Sequence, residues 1–368
     1  MNAPLFPAPT GWTTRCRVSV IIRAFNQEQS IAAAIESSLA AVSEVGGEVV
    51  LADSHSTDRT VEIASGYPIR IVQLLNPGER SSSAASELGF QHSCGDYLYL
   101  LDGTMRMVRG FLPRALGFLA QHPEAAGVGG RLVQLGTDSL RPEFPFNPPQ
   151  RAAAAVDRLQ DGGLYRRRAI EESGYLCDRN LHSHEAFELA VRLRALGWKL
   201  WRIPVDVATQ DPIDSAPRLF LMRYLGSRSA CGLGELVRAA AGHKRLRRVW
   251  RGQPELRGCA GVLAWWCLLL SVVFWPLALP ERLACFAALA AAPWLLMLWR
   301  ERSPGAACRS LAASSVGAAG LLRGLLRPRR PTRGALACRV LHEPPQPSAP
   351  PSEHRAWPDF PDRHRFQN

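Results

Sequence analysis

The chain has 368 residues, 47% hydrophobic and 21% charged, and a formal net charge of +12. This composition excludes wholesale disorder and leaves room for one large catalytic domain plus a smaller unit. Lys199 and Lys244 are the only lysines, so arginine carries the positive balance; without a basic helix interleaved with aromatics or a zinc-finger spacing, it points to an anionic membrane surface and not to nucleic acid.

Residues 1–16 lack a charged start followed by an apolar run and read as a leader, not a signal peptide. Val18 to Ile22 is a β-branched run. After the loop Arg23 to Gln29, the spacing Ile31, Ala34, Ile35, Ser38, Leu39, Val42 predicts a helix with one small, apolar face. Glu48 to Ala52 reads as a second buried strand ended by Asp53, and Ser54 to Thr60 as a turn in which Ser56 or Thr57 caps the helix carrying Val61 and Ile63. Ile69, Ile71 and Val72 form a third strand, and Ser86 to Ser93 a short helix. Tyr97 to Leu101 then reads as a strand buried on both faces, ended by Asp102 and followed by Gly103. The alternation predicts a βαβαβ half with a parallel sheet. A carboxylate at the carboxyl end of such a strand, with a glycine that lets the backbone approach a ligand, marks where open α/β sheets bind.

A dinucleotide-binding reading fails at the first turn, because Arg23 to Glu28 holds no glycine. Asp53 is placed either to accept from a base or ribose or to close an Asx turn. Asp58 reads as a charge at a helix N-terminus. Phe25 fits a ligand contact or the core equally.

Three stretches in order, VSVIIRAFNQEQSIAAAIESSL, VVLADSHSTDRTVEIA and GDYLYLLDGT, resemble the nucleotide-binding half of the family 2 glycosyltransferases with the GT-A fold. The similarity continues through AGVGGRLVQ, GGLYRRRAIEESG and LHSHEAFELAVRLRALGWKLWRIP, about residues 17 to 210. The resemblance implies that Phe25, Asn26, Glu28, Asp53, Ser54 and Asp102 hold a nucleotide sugar, and that Gly163 and His182 face the acceptor. It implies a DxD pair whose second acid binds Mg²⁺ or Mn²⁺, but here the sequence is Asp102-Gly103-Thr104, leaving Asp102 as a weak metal ligand. It implies a paired acid as catalytic base, here Glu185-Ala186, so Glu185 alone would take the acceptor proton. Glu188 pairs with Arg192 four residues on as an expected surface pair, with Ser183 or His182 capping their helix. Ala85-Ser86-Glu87 lacks an expected cation, and Thr209-Gln210-Asp211 lacks an expected histidine. These departures carry a second reading, a weakened or inactive membrane scaffold on the same fold.

An uncharged stretch between Arg257 and Glu281 is long enough to span a bilayer, and Leu283 to Trp299 is a shorter second one. Arginines on both flanks place both ends inside, by the positive-inside rule. Ser310 to Leu326 reads as an interfacial segment. The expected organisation is therefore a GT-A domain over 17–215, a basic amphipathic juxtamembrane segment over 216–257, membrane helices over 258–326 and a disordered tail over 327–368. The resemblance implies sugar transfer from a nucleotide sugar to a lipid-linked or saccharide acceptor, inverting and non-processive, at the cytosolic face of the inner membrane. Nine singly scattered cysteines, an odd number, give neither a disulfide framework nor a metal site and favour a reduced cytosolic setting for the soluble part.

Overall fold

The computed structural model describes residues 16–134, 152–159, 161–210, 228–241 and 245–344. Strand β1 (Val18–Ala24) is buried along its whole length, as a run of β-branched residues in the middle of a sheet must be. It pairs in parallel with β2 (Gly47–Asp53) on one side and β4 (Tyr97–Asp102) on the other, and β2 pairs in parallel with β3 (Arg70–Leu74). Past β4 the sheet turns antiparallel through β8 (Leu164–Arg166) and continues with β6 (Ala125–Gln134), β9 (Lys199–Gln210) and β5 (Met105–Met107). The short β7 (Ala154–Val156) lies antiparallel to β9.

Side chains alternate across this sheet with a period of two. Val20, Ile22, Tyr99 and Leu101 pack on one face against α1 (Ile31–Ser43), α2 (Thr60–Ala64) and α4 (Phe111–Gln121), while α3 (Ser82–Gln91) lies on the other face with Phe90 beside Ile21. Ile21, Leu98 and Leu100 pack on the other face against α5 (Arg167–Ser173) and α6 (Glu185–Ala195). The three-layer sandwich brings Ala24, Asp53 and Asp102 to the same edge, because the registers align Ala24 with Asp53 and Arg23 with Asp102.

Three expectations are corrected here. Neither Ser56 nor Thr57 caps α2; Asp58 Oδ1 accepts the Thr60 amide at 3.0 Å instead, while Ser56 and Thr57 bond elsewhere. Glu188 and Arg192 do not form a surface pair. Arg192 is 1% exposed, its Nε donates to Glu188 at 2.8 Å, and its NH1 and NH2 donate to the Tyr175 and Leu176 carbonyls at 2.6 and 2.8 Å. That face of α6 meets the α5–α6 loop, whose inward carbonyls need a donor. The tail expected from Arg327 begins with order: β10 (Cys338–His342) adds to β3 antiparallel, closing a sheet edge that would otherwise be open. Leu336 packs beside Leu74, Ala84 and Leu88, and Arg70 meets Glu343 at 2.9 Å.

Between these strands runs a helical bundle of α7 (Gly232–Ala240), α8 (Leu246–Gly252), α9 (Pro254–Ser271), α10 (Leu279–Glu301) and α11 (Pro304–Leu326). Two of its helices, Pro254–Phe274 and Leu279–Glu301, are long and apolar enough to cross a membrane. Their apolar side chains face outward: Leu270 is 69%, Phe274 85% and Trp299 80% exposed. A core pair would be buried, whereas lipid accepts such a surface without the hydrophobic cost of water. Residues 216–227 of the juxtamembrane stretch, 211–215 before it, the leader through 15 and the tail beyond 344 lie outside the described residues.

The Ser310 to Leu326 segment falls within α11, which crosses α7 at close range because both helices present glycine there. A Cβ on Gly320 would lie 2.1 Å from the Ala230 carbonyl oxygen, and one on Gly324 2.2 Å from that of Cys231. Gly320→Val is therefore expected to cost about 1–3 kcal/mol of stability through overpacking, measured by thermal unfolding in detergent. An unchanged midpoint would contradict this packing.

Candidate active site

Two loops at the carboxyl ends of β1 and β2 are clasped together. Asn26 adopts φ +52°, a left-handed conformation asparagine tolerates better than most residues. Its Oδ1 accepts the Thr57 amide at 2.8 Å, and its own amide donates to Ser56 Oγ at 3.0 Å. The Gln27 amide donates to Thr60 Oγ1 at 2.7 Å, the Glu28 amide to Asp58 Oδ2 at 3.0 Å, and the Arg59 amide to Glu28 Oε2 at 3.1 Å. Asn26 and Glu28 thus shape the cleft as much as they line it. Desolvation opposes the Asp58 charge, but donors from Thr60 and Glu28 hold its carboxyl below the usual range.

Asp53 is fully buried, and both its oxygens are engaged: Ser56 donates through its amide (2.9 Å) and hydroxyl (2.5 Å), and Gln73 Nε2 at 2.8 Å. The Asx-type turn is therefore real. The Ser54 amide donates to the Ala24 carbonyl at 2.8 Å, tying β1 to the turn. Phe25 is half-buried, with the Arg80 guanidinium 4.1 Å from its ring centroid. That stacking returns a cation to the cleft from a position the sequence reading did not consider.

The organising group is Arg23. Its side chain is 6% exposed and meets three carboxylates from three separate elements: Asp161 at 2.6 Å, Glu185 at 3.5 Å and Asp102 at 3.7 Å. Burial works against the guanidinium charge, but the acids, Asp161 foremost, raise its pKa beyond that of an ordinary arginine. Gly162, at φ +83°, lets Asp161 arrive there; its amide donates to Leu100 O at 2.9 Å, and Leu100 N donates to Gly163 O at 3.3 Å. Gly163 therefore braces β4 beneath Asp161. Arg23, read from the sequence as the start of a loop, belongs to β1, where a buried arginine must find partners. Asp161 offered no signal of its own.

Asp102 Oδ1 accepts from Thr104 through hydroxyl (2.7 Å) and amide (3.0 Å), and from Gln27 Nε2 at 3.2 Å. Gly103 makes room for this, because a Cβ there would fall 2.0 Å from Gln27 Oε1. Gln210 Nε2 reaches Thr104 Oγ1 at 3.4 Å, so two neutral side chains meet where the resemblance implies an acid and a histidine. One engaged carboxylate, a hydroxyl and an amide form a poor donor set for Mg²⁺ or Mn²⁺, hard ions that favour carboxylate oxygens. Among the described residues, the acids, histidines and cysteines that converge within 4.8 Å in a group of three are Cys16, Glu48 and Cys94, at the opposite, amino ends of the strands. Arg23 Nε and Gln27 Oε1 are buried without partners among the described residues, as polar atoms facing a ligand site often are.

Glu185 opens α6, but neither Ser183 nor His182 caps it. The N-cap is His184, at φ +63°, with no side-chain capping bond. Burial lowers the His184 pKa. Below the ordinary histidine range the unfolded chain takes up a proton that the folded one resists, so stability falls as pH drops through that range. His184→Asn, suited to the same backbone, is expected to remove this part of the acid sensitivity in unfolding measured from pH 7 to 5. His182 does not face Glu185; its Nδ1 lies 3.0 Å from Glu235 Oε1, which also holds Arg327 at 2.9 Å.

Residues 19–174 match the sequence profile of Glycosyl transferase family 2. The chain carries a family 2 glycosyltransferase domain. Its sheet has the GT-A arrangement, and the mannosyltransferase PcManGT of Pyrobaculum calidifontis, solved with GDP-Man and Mn²⁺, superposes with a TM-score of 0.53 at 17% identity over 85% of this chain and 88% of that one. Undecaprenyl-phosphate 4-deoxy-4-formamido-L-arabinose transferase of Pectobacterium carotovorum is 32% identical over 116 residues, 30% of this chain and 36% of that protein. A Methanococcus voltae enzyme, dolichyl N-acetyl-alpha-D-glucosaminyl phosphate 3-beta-D-2,3-diacetamido-2,3-dideoxy-beta-D-glucuronosyltransferase, is 21% identical over 59% of this chain and 73% of its own length. The chain thus spans little more than a third of the first of these relatives.

Proposed function

We propose that the chain transfers a sugar from a nucleoside-diphosphate donor to a lipid-linked or saccharide acceptor at a membrane, with inversion, one sugar per encounter and no divalent ion. The observation that carries this reading is the Arg23 hub, which joins the β4 aspartate, the Asp161 turn and the first residue of α6 at one edge of a family 2 domain. Phe25, with Arg80 over its ring, and the Asn26 loop offer a stacking surface and backbone for the base and ribose. Glu185 Oε1 is held by Arg23, and no hydrogen bond to its second oxygen is present among the described residues. That oxygen would take the proton of the acceptor hydroxyl as the hydroxyl oxygen bonds to the sugar's anomeric carbon and the carbon–oxygen bond to the diphosphate breaks. In-line attack from the α6 side inverts the anomeric centre.

The outward apolar faces of α9 and α10, with arginines on both flanks, support a membrane-anchored domain on the cytosolic side, where nucleotide sugars are made. The test is a turnover screen of the full chain in nanodiscs with UDP- and GDP-sugars and a polyprenyl-linked saccharide presenting free hydroxyls, reading nucleoside diphosphate release with EDTA present. Release with one donor is expected. Nucleotide binding without release from any donor would replace this reading by that of a scaffold on the same fold.

A further inference from the structure

Where the sheet domain meets the bundle there is a cavity of about 140 Å³, several times the ~30 Å³ a water occupies in the liquid. Five arginines line it against two glutamates. Arg179 comes from the α5–α6 loop, Arg238 from α7, and Arg327, Arg329 and Arg330 from the segment after α11. Glu79 is shared by Arg179 and Arg330, and Glu235 by Arg327 and His182, while Arg329 reaches Asp178. The acids therefore fall short of neutralising the arginines. Arg238 donates to the Leu325 carbonyl at 3.0 Å, and His182 Nε2 is buried without a partner among the described residues.

A second, apolar groove of about 900 Å³ is built on the same two helices. Val237 and Leu325 line the groove, whereas their chain neighbours Arg238 and Gly324 line the cavity. Leu246 and Trp250 complete the groove while 40% and 46% exposed, and Arg247 stands beside them. A polar, cationic chamber and an apolar trough on adjacent faces of α7 and α11 match the two parts of one amphiphile. A free anion would have no use for the trough.

We propose that this bundle binds the phosphate group of a membrane lipid, with the headgroup among Arg179, Arg238 and Arg330 and the chain along Val237, Trp250 and Leu325. Arginine suits this role because its planar fork binds phosphate oxygens in pairs. The inference concerns binding alone and stands apart from sugar transfer.

The experiment is native mass spectrometry of the full chain in detergent with three probes: phosphatidic acid, diacylglycerol with the same chains, and inorganic phosphate. One phosphatidic acid is expected to be retained, with no competition from diacylglycerol. The double variant Arg238→Gln/Arg330→Gln is expected to weaken retention about tenfold, as loss of charge-assisted bonds does. Trp250→Ala, outside the cavity, is expected to weaken phosphatidic acid without changing phosphate binding. Equal retention of diacylglycerol would show apolar adsorption and overturn the proposal. Displacement by equimolar inorganic phosphate would show a free-anion site, and unchanged binding in both variants would place the lipid elsewhere; either result overturns the proposal too.

Discussion

Glu185→Gln is expected to lower sugar transfer by about 10²–10⁴-fold while leaving nucleotide binding in place. The amide keeps the shape of the side chain and its place at the start of α6 but cannot accept the acceptor's proton. Ala186 follows it, so no second acid stands beside it in the chain to take over. Steady-state turnover and nucleotide titration on the same preparation separate the two effects. Transfer within a few-fold of the parent would remove Glu185 from the mechanism and leave Asp161, 41% exposed across Arg23, as the base to test next.

Arg23→Met is expected to have the larger effect on stability. Removing one partner of a buried ionic cluster leaves uncompensated charge, at a cost of about 3–5 kcal/mol. The sign of the pH response distinguishes this from lost packing. Without the guanidinium, Asp102, Asp161 and Glu185 repel one another across the cleft. Protonation relieves that repulsion, so the variant's stability recovers as pH falls toward the carboxylate range. Because Arg23 stands among these acids, Mn²⁺ is expected to raise the variant's unfolding temperature but not the parent's. Arg23→Lys should restore part of the stability, since a lysine keeps the charge without the planar fork. A variant as stable as the parent at pH 7, or one that neither Mn²⁺ nor acid stabilises, would show that the three contacts do not hold the site.

How far the sequence could be read follows from how local each signal is. Strands β1, β2 and β4 announce themselves through β-branched or aliphatic runs, the last two ended by aspartates, and the order of motifs carried the fold. The long-range partners were silent. Nothing near Arg192 in the chain states that its guanidinium is needed by the carbonyls of residues 175 and 176, so an i,i+4 spacing looked like a surface pair. Cys338 to His342 are too few to declare a strand until the open edge of β3 is seen beside them. Asp161 joined the site through Gly162 and Gly163, a turn whose destination no spacing rule gives. His182 had the right neighbourhood in sequence, yet Glu235, 53 residues on, turns it away. Thr104 and Gln210 looked like separate losses in sequence, and only the β5–β9 pairing shows them as one contact.

The most direct test of the account is calorimetric titration of the detergent-purified full chain with UDP and with GDP, each in Mn²⁺ and in EDTA. One of the two nucleotides is expected to bind with the same affinity in both conditions, because Arg23 and Arg80 are fixed parts of the cleft and the Thr104–Gln210 pair offers little to a hard cation. Binding of neither nucleotide, or binding that appears only with Mn²⁺, would contradict it.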